Sequence, residues 1–120
     1  MENEPDVLVS KIVSPGTGRD FFLCSIFFQN GCFIIITEGE PRIGAVSMAI
    51  SASNKVSTAK VIPSRHDSIF INTVAEKISA MINGISLVSL HSKSQLQLDD
   101  MKAIMTEVMS TVGNKKDDGK

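Results

Sequence analysis

One five-residue stretch, Ser-Arg-His-Asp-Ser at positions 64–68, places the residue types of a nucleophilic hydrolase side by side. Such an enzyme needs a hydroxyl, an imidazole that takes its proton and a carboxylate that orients the imidazole. These groups normally come from separate parts of a fold, because neighbours in sequence seldom face one another. The stretch is therefore predicted to be a polar loop that caps the following helix, with a contact to a partner as the alternative. His91 has no partner at a useful spacing and is predicted to be an ordinary exposed or hydrogen-bonded histidine.

The two cysteines, Cys24 and Cys32, lie in a strongly apolar stretch around Asn30-Gly31, a pair typical of a two-residue hairpin turn. A turn at these residues would pair Gln29 with Cys32. Side chains alternate between faces along a strand, so the two thiols are predicted to lie on opposite faces of the sheet. This arrangement excludes a disulfide or a shared metal site, and the few charges nearby offer no means of activating either thiol.

No other motif predicts a catalytic, cofactor-binding or metal-binding residue. The Pro-Gly-Thr-Gly-Arg stretch at 15–19 lacks the Gly-Lys-Ser/Thr ending of a phosphate-binding loop and is predicted to be a turn. Glu38 and Glu40 stand together in another turn, where two acids are usually solvated. Neither a Cys-x-x-Cys nor a His-Glu-x-x-His pair is present. The sequence therefore predicts a protein that is not an enzyme and has no cofactor.

Composition excludes several kinds of partner. The net charge of −1 and the pI near 6.1 offer no positive surface to nucleic acid or to an anionic membrane. The chain has neither Trp nor Tyr, side chains on which single-stranded bases stack. No apolar run reaches the ~20 residues that span a bilayer, and the acidic start does not resemble a signal peptide. Since two cysteines also fit a reducing compartment, we expect a cytoplasmic protein that binds neither nucleic acid nor membrane.

The hydrophobic pattern predicts six strands and two helices in one α+β domain. Short connections between the first five strands favour an antiparallel sheet, and two amphipathic helices can pack on one face of it. The predicted order is βββββαβα, with a single domain over residues 1–113 and a flexible tail over 114–120. The second helix carries a methionine-rich apolar stripe and is expected to be capped by Asp99 and to end at Gly113. The predicted segments are 6–14, 19–29, 32–38, 42–51, 55–62, 68–83, 85–92 and 99–112.

The central hairpin is unusual because both of its faces are apolar. Antiparallel sheets often leave one face in water and then alternate apolar with polar residues. The two helices can cover only one face, so the other must be covered by curling of the sheet or by another molecule. The second possibility predicts a dimer or a stable partner complex. The expected interface residues are Ile26, Phe28, Phe33 and Ile35.

From Phe27 to Val112 the order of elements resembles the small proteasome assembly chaperones, in particular the third and fourth members of that set. The stretches that carry the resemblance are CFIIITEGEPRIGAVSMAIS, STAKVI, SIFINTVAEKISAMIN and ISLVSLHSKSQLQLDDMKAIMTEVM. These are packing patterns without a catalytic signature. The loop before the first helix departs from the family's pattern, in which a Gly often precedes the acidic residues.

The resemblance implies a non-enzymatic protein that dimerises, with itself or with a related chaperone, and holds α-type proteasome subunits while the α ring assembles. The implied dimer agrees with the separate argument from the two apolar faces of the hairpin. Contacts with the subunit are expected on two surface segments. These are Ser64, Arg65, His66 and Asp67 in the loop, and Glu38, Glu40 and Arg42 in the turn.

Two other hypotheses stay open. A roadblock- or profilin-like scaffold that binds a GTPase or a peptide would place a helix early in the chain, whereas this sequence starts with predicted strands. A thiol or Ser-His-Asp hydrolase would make Cys24, Cys32 or His66 reactive toward an electrophile in the folded protein.

Overall fold

Six strands and two helices make up the part of the chain that the computed structural model describes, residues 8–118. Their order is βββββαβα, as predicted, and the fold class is α+β. The strands are β1 (Leu8–Val13), β2 (Phe21–Phe28), β3 (Gly31–Glu38), β4 (Ala45–Ala52), β5 (Lys55–Ile62) and β6 (Ile85–His91). The helices are α1 (Ser68–Ile82) and α2 (Leu98–Asp118). Neither of these two helices is long and apolar enough to cross a membrane.

The strands form one sheet in the order β1-β2-β3-β6-β4-β5. Its neighbouring strands are antiparallel, as predicted, except for β3 and β6, which are parallel. The crossover through α1 returns the chain to the middle of the sheet, as a parallel pair requires. β6 is therefore a central strand between β3 and β4, which the local pattern did not indicate.

Both helices lie on one face of the sheet, so the domain has two layers. α1 packs on β4, β5 and β6, and α2 packs on β1 and β2 beside α1. The hydrophobic core lies between the layers, where the inward-pointing strand side chains meet the apolar stripes of the helices. Its largest fully buried members are Phe21, Leu23, Ile34, Ile36, Ile71, Ile78 and Ile104.

The central β2–β3 hairpin turns at Gln29–Asn30, one position earlier than predicted. Cys32 pairs with Phe27 rather than Gln29, and this shift of two residues leaves every side chain on its predicted face. Gly31 is the first residue of β3 and not a turn residue. The start of β6 passes so close to it that a side chain would not fit. A Cβ at this position would lie 2.2 Å from the carbonyl oxygen of Ile85. The predicted turn residues are therefore wrong, while the opposite faces of the two cysteines are confirmed.

The turn geometry expected for the central hairpin occurs instead between β4 and β5. Ser53 and Asn54 both have positive φ angles, 53° and 65°. Two successive residues with positive φ define the two-residue turn whose twist matches that of paired strands. A Ser-Asn pair makes this turn although it lacks glycine.

The two helices end differently. α1 stops at Asn83–Gly84, as predicted, with Asn83 in the left-handed region at φ 53°. α2 continues through Gly113 to Asp118, so the predicted end at Gly113 is wrong, and residues 114–118, predicted to form a tail, are helical. Val112 is fully buried just before the glycine, and the Lys115 Nζ lies 5.7 Å from the centre of the Phe27 ring just after it. These contacts stabilise the helix on both sides of Gly113.

Candidate interaction surfaces

Glu38, one of the predicted contact residues, forms hydrogen bonds inside the protein. Its carboxylate accepts hydrogen bonds from Arg19 Nε at 3.1 Å, from Arg19 Nη2 at 2.8 Å and from the backbone N–H of Lys93 at 2.8 Å. The side chains of Arg19 and Glu38 are only 13% and 12% exposed. The hydrogen bonds from Arg19 hold the pKa of Glu38 below its ordinary value, against the opposing effect of burial. Glu38 therefore stabilises the fold and does not present a free charge to a partner.

Asp100 joins the same set of charges and is fully buried. Its Oδ2 lies 3.3 Å from Arg19 Nη1 and accepts the backbone N–H of Gln97 at 2.9 Å, while its Oδ1 accepts the Thr17 hydroxyl at 2.6 Å. Gln97 is the N-cap residue of α2, and an acid three residues later can accept its backbone N–H, one of the free N–H groups at the start of a helix. Asp100 is thus the acid that caps α2, whereas Asp99, the predicted cap, is exposed.

Arg19 is the centre of this group, which we call the Arg19 cluster (Arg19, Glu38 and Asp100). Its guanidinium also donates to the carbonyl oxygens of Gln95 at 2.9 Å and Ser94 at 3.0 Å. One side chain thereby joins the loop after β1, the end of β3 and the loop before α2. The acidic partners of Arg19 lie 19 and 81 residues away in the sequence, so no spacing rule connects them with it.

The turn after β3 presents the other two predicted contact residues of that segment, Glu40 and Arg42, which are both exposed. Thr37 holds the base of the turn: its hydroxyl donates to the Arg42 carbonyl oxygen at 3.1 Å and accepts the Arg42 backbone N–H at 3.3 Å. Thr37 itself is fully buried. The backbone of the turn is therefore fixed while two side chains of opposite charge face the solvent.

The Ser64–Asp67 loop is also held by local hydrogen bonds. The Ser64 hydroxyl donates to the His66 carbonyl oxygen and accepts the His66 backbone N–H at 3.2 Å. His66 Nδ1 lies 2.9 Å from Asp67 Oδ2, which also accepts the backbone N–H of Leu96 at 3.1 Å. Asp67 occupies the N-cap position of α1, as a loop that caps the helix predicts, but its side chain is 1% exposed and makes no capping hydrogen bond to α1. Asp67 anchors the loop to the segment before α2, while Arg65 stays exposed.

This loop does not assemble a Ser-His-Asp relay. The His66–Asp67 pair matches two of the three members, but the Ser64 hydroxyl is hydrogen-bonded to the backbone of His66 and not to its ring. A general base must lie within hydrogen-bond reach of the proton that it takes. The hydrolase hypothesis gains no support from this geometry.

The two cysteines lie in different surroundings. Cys32 is buried among the core residues, and burial raises the pKa of its thiol to about 12. Cys24 is half-buried on the other face of the sheet, and both thiols are free. A reactive cysteine needs a lowered pKa, so Cys32 has the opposite of an activated environment.

The sheet face opposite the helices, which we call the open face, is apolar and bears no helix in residues 8–118. All four predicted interface residues lie on it: Ile26, Phe33 and Ile35 are half-buried, and Phe28 is 62% exposed. From strand alternation and register, the same face also carries Leu8, Ile12, Phe22, Cys24, Val46, Met48, Ile50, Ile85 and Leu87. A strand spacing of ~4.8 Å and a rise of ~3.4 Å per residue give it a footprint on the order of 600 Å².

Comparison with known proteins finds a likeness in structure. The fold is similar to a chain of the crystal structure of a chaperone complex for yeast 20S proteasome assembly, with a TM-score of 0.66. The two chains are 12% identical, and the superposition covers 91% of this chain and 96% of the yeast chain. No family model matches the sequence, and no curated protein matches it. At this identity the likeness shows the fold, over nearly the whole length of both chains.

Proposed function

We propose that this chain is a non-enzymatic assembly chaperone that acts as a dimer in the cytoplasm and binds α-type proteasome subunits while the α ring assembles. The observation that carries the proposal is the fold similarity to a chain of the yeast 20S proteasome assembly chaperone complex over 96% of that chain. The sequence resemblance from Phe27 to Val112 supports the same class of protein, since it rests on the order and apolar pattern of the elements.

The open face supports the dimeric part of the proposal. Its footprint on the order of 600 Å² approaches the ~800 Å² per partner of a standard protein interface. Large exposed apolar patches mark association surfaces on proteins, and Leu8, Ile12 and Phe28 are each more than half exposed on this face. Two open faces would pack as a two-sheet sandwich with the sheets ~10 Å apart. The partner in this arrangement is a second copy of the chain or a related chaperone.

The subunit contact is proposed on the charged edge formed by the loop before α1 and the turn after β3. Gly44, just after the turn, and His66 line the same cavity, so the two segments are neighbours. Arg65, Glu40 and Arg42 are exposed there on backbone that local hydrogen bonds hold in place. Transient occupation of a subunit surface by this edge would favour correct neighbours, because charged groups penalise a mismatched partner.

Co-expression of the tagged chain with each α-type subunit tests the proposal. We expect capture of at least one α-type subunit and of no β-type subunit. Arg65→Glu should reduce the capture at least tenfold without changing the oligomeric state, whereas Lys77→Glu, an exposed charge change on α1, should not. Failure to capture any α-type subunit, in an assay where an established assembly chaperone captures its own, would contradict the proposal.

The roadblock- or profilin-like alternative gains no support from the topology. Within residues 8–118 the first helix follows five strands. A helix before or between the first strands is the feature that would have favoured such a scaffold.

A further inference from the structure

A cavity of about 280 Å³ lies between the loop before α1 and the end of β6. We call it the Ser92 cavity; it is lined by Gly44, Ala45, Pro63, Ser64, Arg65, His66, Leu90, His91 and Ser92. Its size suits one side chain of a partner and not a folded element. Neither the packing of the domain nor the proposed association through the open face gives this cavity a role.

The side chain of Ser92 gives the first indication that the cavity binds a ligand. Its hydroxyl oxygen is buried and has no hydrogen-bond partner. Buried polar groups are nearly always paired in folded proteins, because an unpaired one forfeits the hydrogen bonds that it would make to water. Ser92 lines the cavity, so a rotation of its side chain about the Cα–Cβ bond would let the unpaired hydroxyl donate a hydrogen bond to a group that enters the cavity.

The charges of the lining residues indicate the sign of that group. Arg65, His66 and His91 line the cavity, and none of its lining residues is acidic. Asp67, next to His66, is not among the lining residues; its Oδ2 is engaged by His66 Nδ1 and by the backbone N–H of Leu96, and its Oδ1 is buried without a hydrogen-bond partner. The lining thus combines one permanent cation with two imidazoles and an unpaired hydroxyl donor, which suits an oxyanion.

The walls of the cavity are preorganised. The Ser64 hydroxyl donates a hydrogen bond to the His66 carbonyl oxygen and accepts one from the His66 backbone N–H. The Asp67 carboxylate is hydrogen-bonded to Nδ1 of the His66 ring and holds the ring in place. On the opposite wall Gly44 lies so close to β6 that a Cβ would come within 2.2 Å of the Leu90 carbonyl oxygen. A site held in place before the ligand arrives loses little entropy on binding.

We infer that the Ser92 cavity binds a carboxylate of a polypeptide partner, from an acidic side chain or a chain terminus. A single guanidinium matches the charge of a carboxylate, whereas a phosphate dianion would be only half neutralised. Arg65 pairs with the carboxylate, and the Ser92 hydroxyl and the imidazoles complete its hydrogen bonds. This inference deepens the contact proposed for the loop, and it does not require that the partner be a proteasome subunit.

Nuclear magnetic resonance titrations of the full chain test the inference. The probe is the capped amino acid N-acetyl-glutamate amide, and the matched control is N-acetyl-glutamine amide, which has the same shape without the charge. We expect saturable shifts of the His66 and His91 ring signals and of the Ser92 amide with the glutamate probe and none with the glutamine control. A second probe, N-acetyl-alanine, carries a terminal carboxylate. If it binds more tightly than the glutamate probe, the natural ligand is a chain terminus; if it binds more weakly, the natural ligand is an acidic side chain.

Two variants separate binding from folding. Arg65→Gln should raise the dissociation constant for the glutamate probe at least tenfold, whereas Lys77→Gln, an exposed cation outside the cavity, should leave it unchanged. Ser92→Ala should weaken the probe several-fold while the unliganded protein keeps its stability, because the hydroxyl has no partner to lose.

Several results would overturn the inference. These are equal shifts with the glutamine control, tighter binding of inorganic phosphate than of either acid, or no saturable shift at the highest soluble probe concentration. A positive titration together with a failed α-subunit capture would reject the proposed function and leave the carboxylate site standing. The reverse combination would reject the site alone.

Discussion

The two faces of the sheet are made by the same strands but differ in what covers them. Ile34 and Ile35 are neighbours in β3: Ile34 is fully buried under the helices, while Ile35 is half-buried on the open face. The strand is as apolar on one face as on the other, although both helices of residues 8–118 pack on the same face. A surplus of apolar surface beyond what a chain can cover is therefore the feature that indicates association.

Alanine at each of these two neighbours should show the largest difference between the faces. Ile34→Ala leaves a cavity in the core and should lower the free energy of unfolding by about 4 kcal/mol. Ile35→Ala removes a side chain that is only half-buried in the single chain and should cost about 1 kcal/mol. Chemical denaturation at low protein concentration measures both, and equal losses would contradict the assignment of the faces.

Removal of Arg19 should come next in size. Arg19→Met leaves the buried Asp100 carboxylate and the nearly buried Glu38 without their cation and should cost about 3 kcal/mol. The matched control is Lys11→Met, which breaks the ion pair with Glu107, whose two side chains are 36% and 41% exposed. That surface pair should contribute less than about 1 kcal/mol. A similar loss in both variants would show that the Arg19 cluster is no more than a surface ion pair.

The same cluster predicts the effect of acid. The folded-state pKa of Glu38 lies below its ordinary value because of the hydrogen bonds from Arg19. Its contribution is therefore fully present above the unfolded pKa and is lost as the pH falls through the folded pKa. Denaturation across a pH series should show a shallower decline for Glu38→Gln than for the wild type. Parallel curves would contradict this role of Glu38.

Thiol labelling should distinguish the two faces without changing a residue. Cys32 should stay unlabelled until the protein unfolds, because burial hides it and raises the pKa of its thiol to about 12. Cys24, half-buried on the open face, should be labelled slowly at low protein concentration and more slowly as dimers form. Mass spectrometry of the labelled peptides measures both rates. A Cys24 rate that does not depend on concentration would argue against association through the open face.

Gly113→Ala should have the smallest effect and the opposite sign. Gly113 lies inside α2, and an added Cβ would meet nothing within 4 Å. Alanine in a helix interior is favoured over glycine by up to ~1 kcal/mol. Thermal unfolding should therefore show a small increase in stability, whereas a decrease would contradict the continuation of α2 past this residue.

The order of the elements could be predicted from the sequence because each element has its own local period. Alternating residues indicate the strands, and Phe70, Val74 and Ile78 indicate α1. The place of β6 could not be predicted in this way, since its pairing with β3 joins residues more than fifty positions apart. Gly31 shows the same limit: Asn-Gly is typical of a turn, whereas this glycine is needed where the start of β6 passes close to β3.

The candidate surfaces could be predicted only where they depend on local alternation of residues. The faces of Ile26 and Phe33 follow from alternation and tolerate a register shift of two residues. The role of Glu38 could not be predicted, because its partner Arg19 comes from the loop between β1 and β2. Local sequence rules place both charged side chains in water. Ser92 was missed for a related reason: an unpaired hydroxyl is recognised only when its surroundings are known.

The mass of the native protein tests the central claim, that the open face is an association surface, most directly. Native mass spectrometry should give twice the 12.9 kDa chain mass for the wild type. Phe28→Asp, at an exposed position of the open face, should give the single chain, and Ile69→Asp, 81% exposed on α1, should keep the dimer. A wild type that is monomeric at every concentration, or a Phe28→Asp variant that remains dimeric, would contradict the claim.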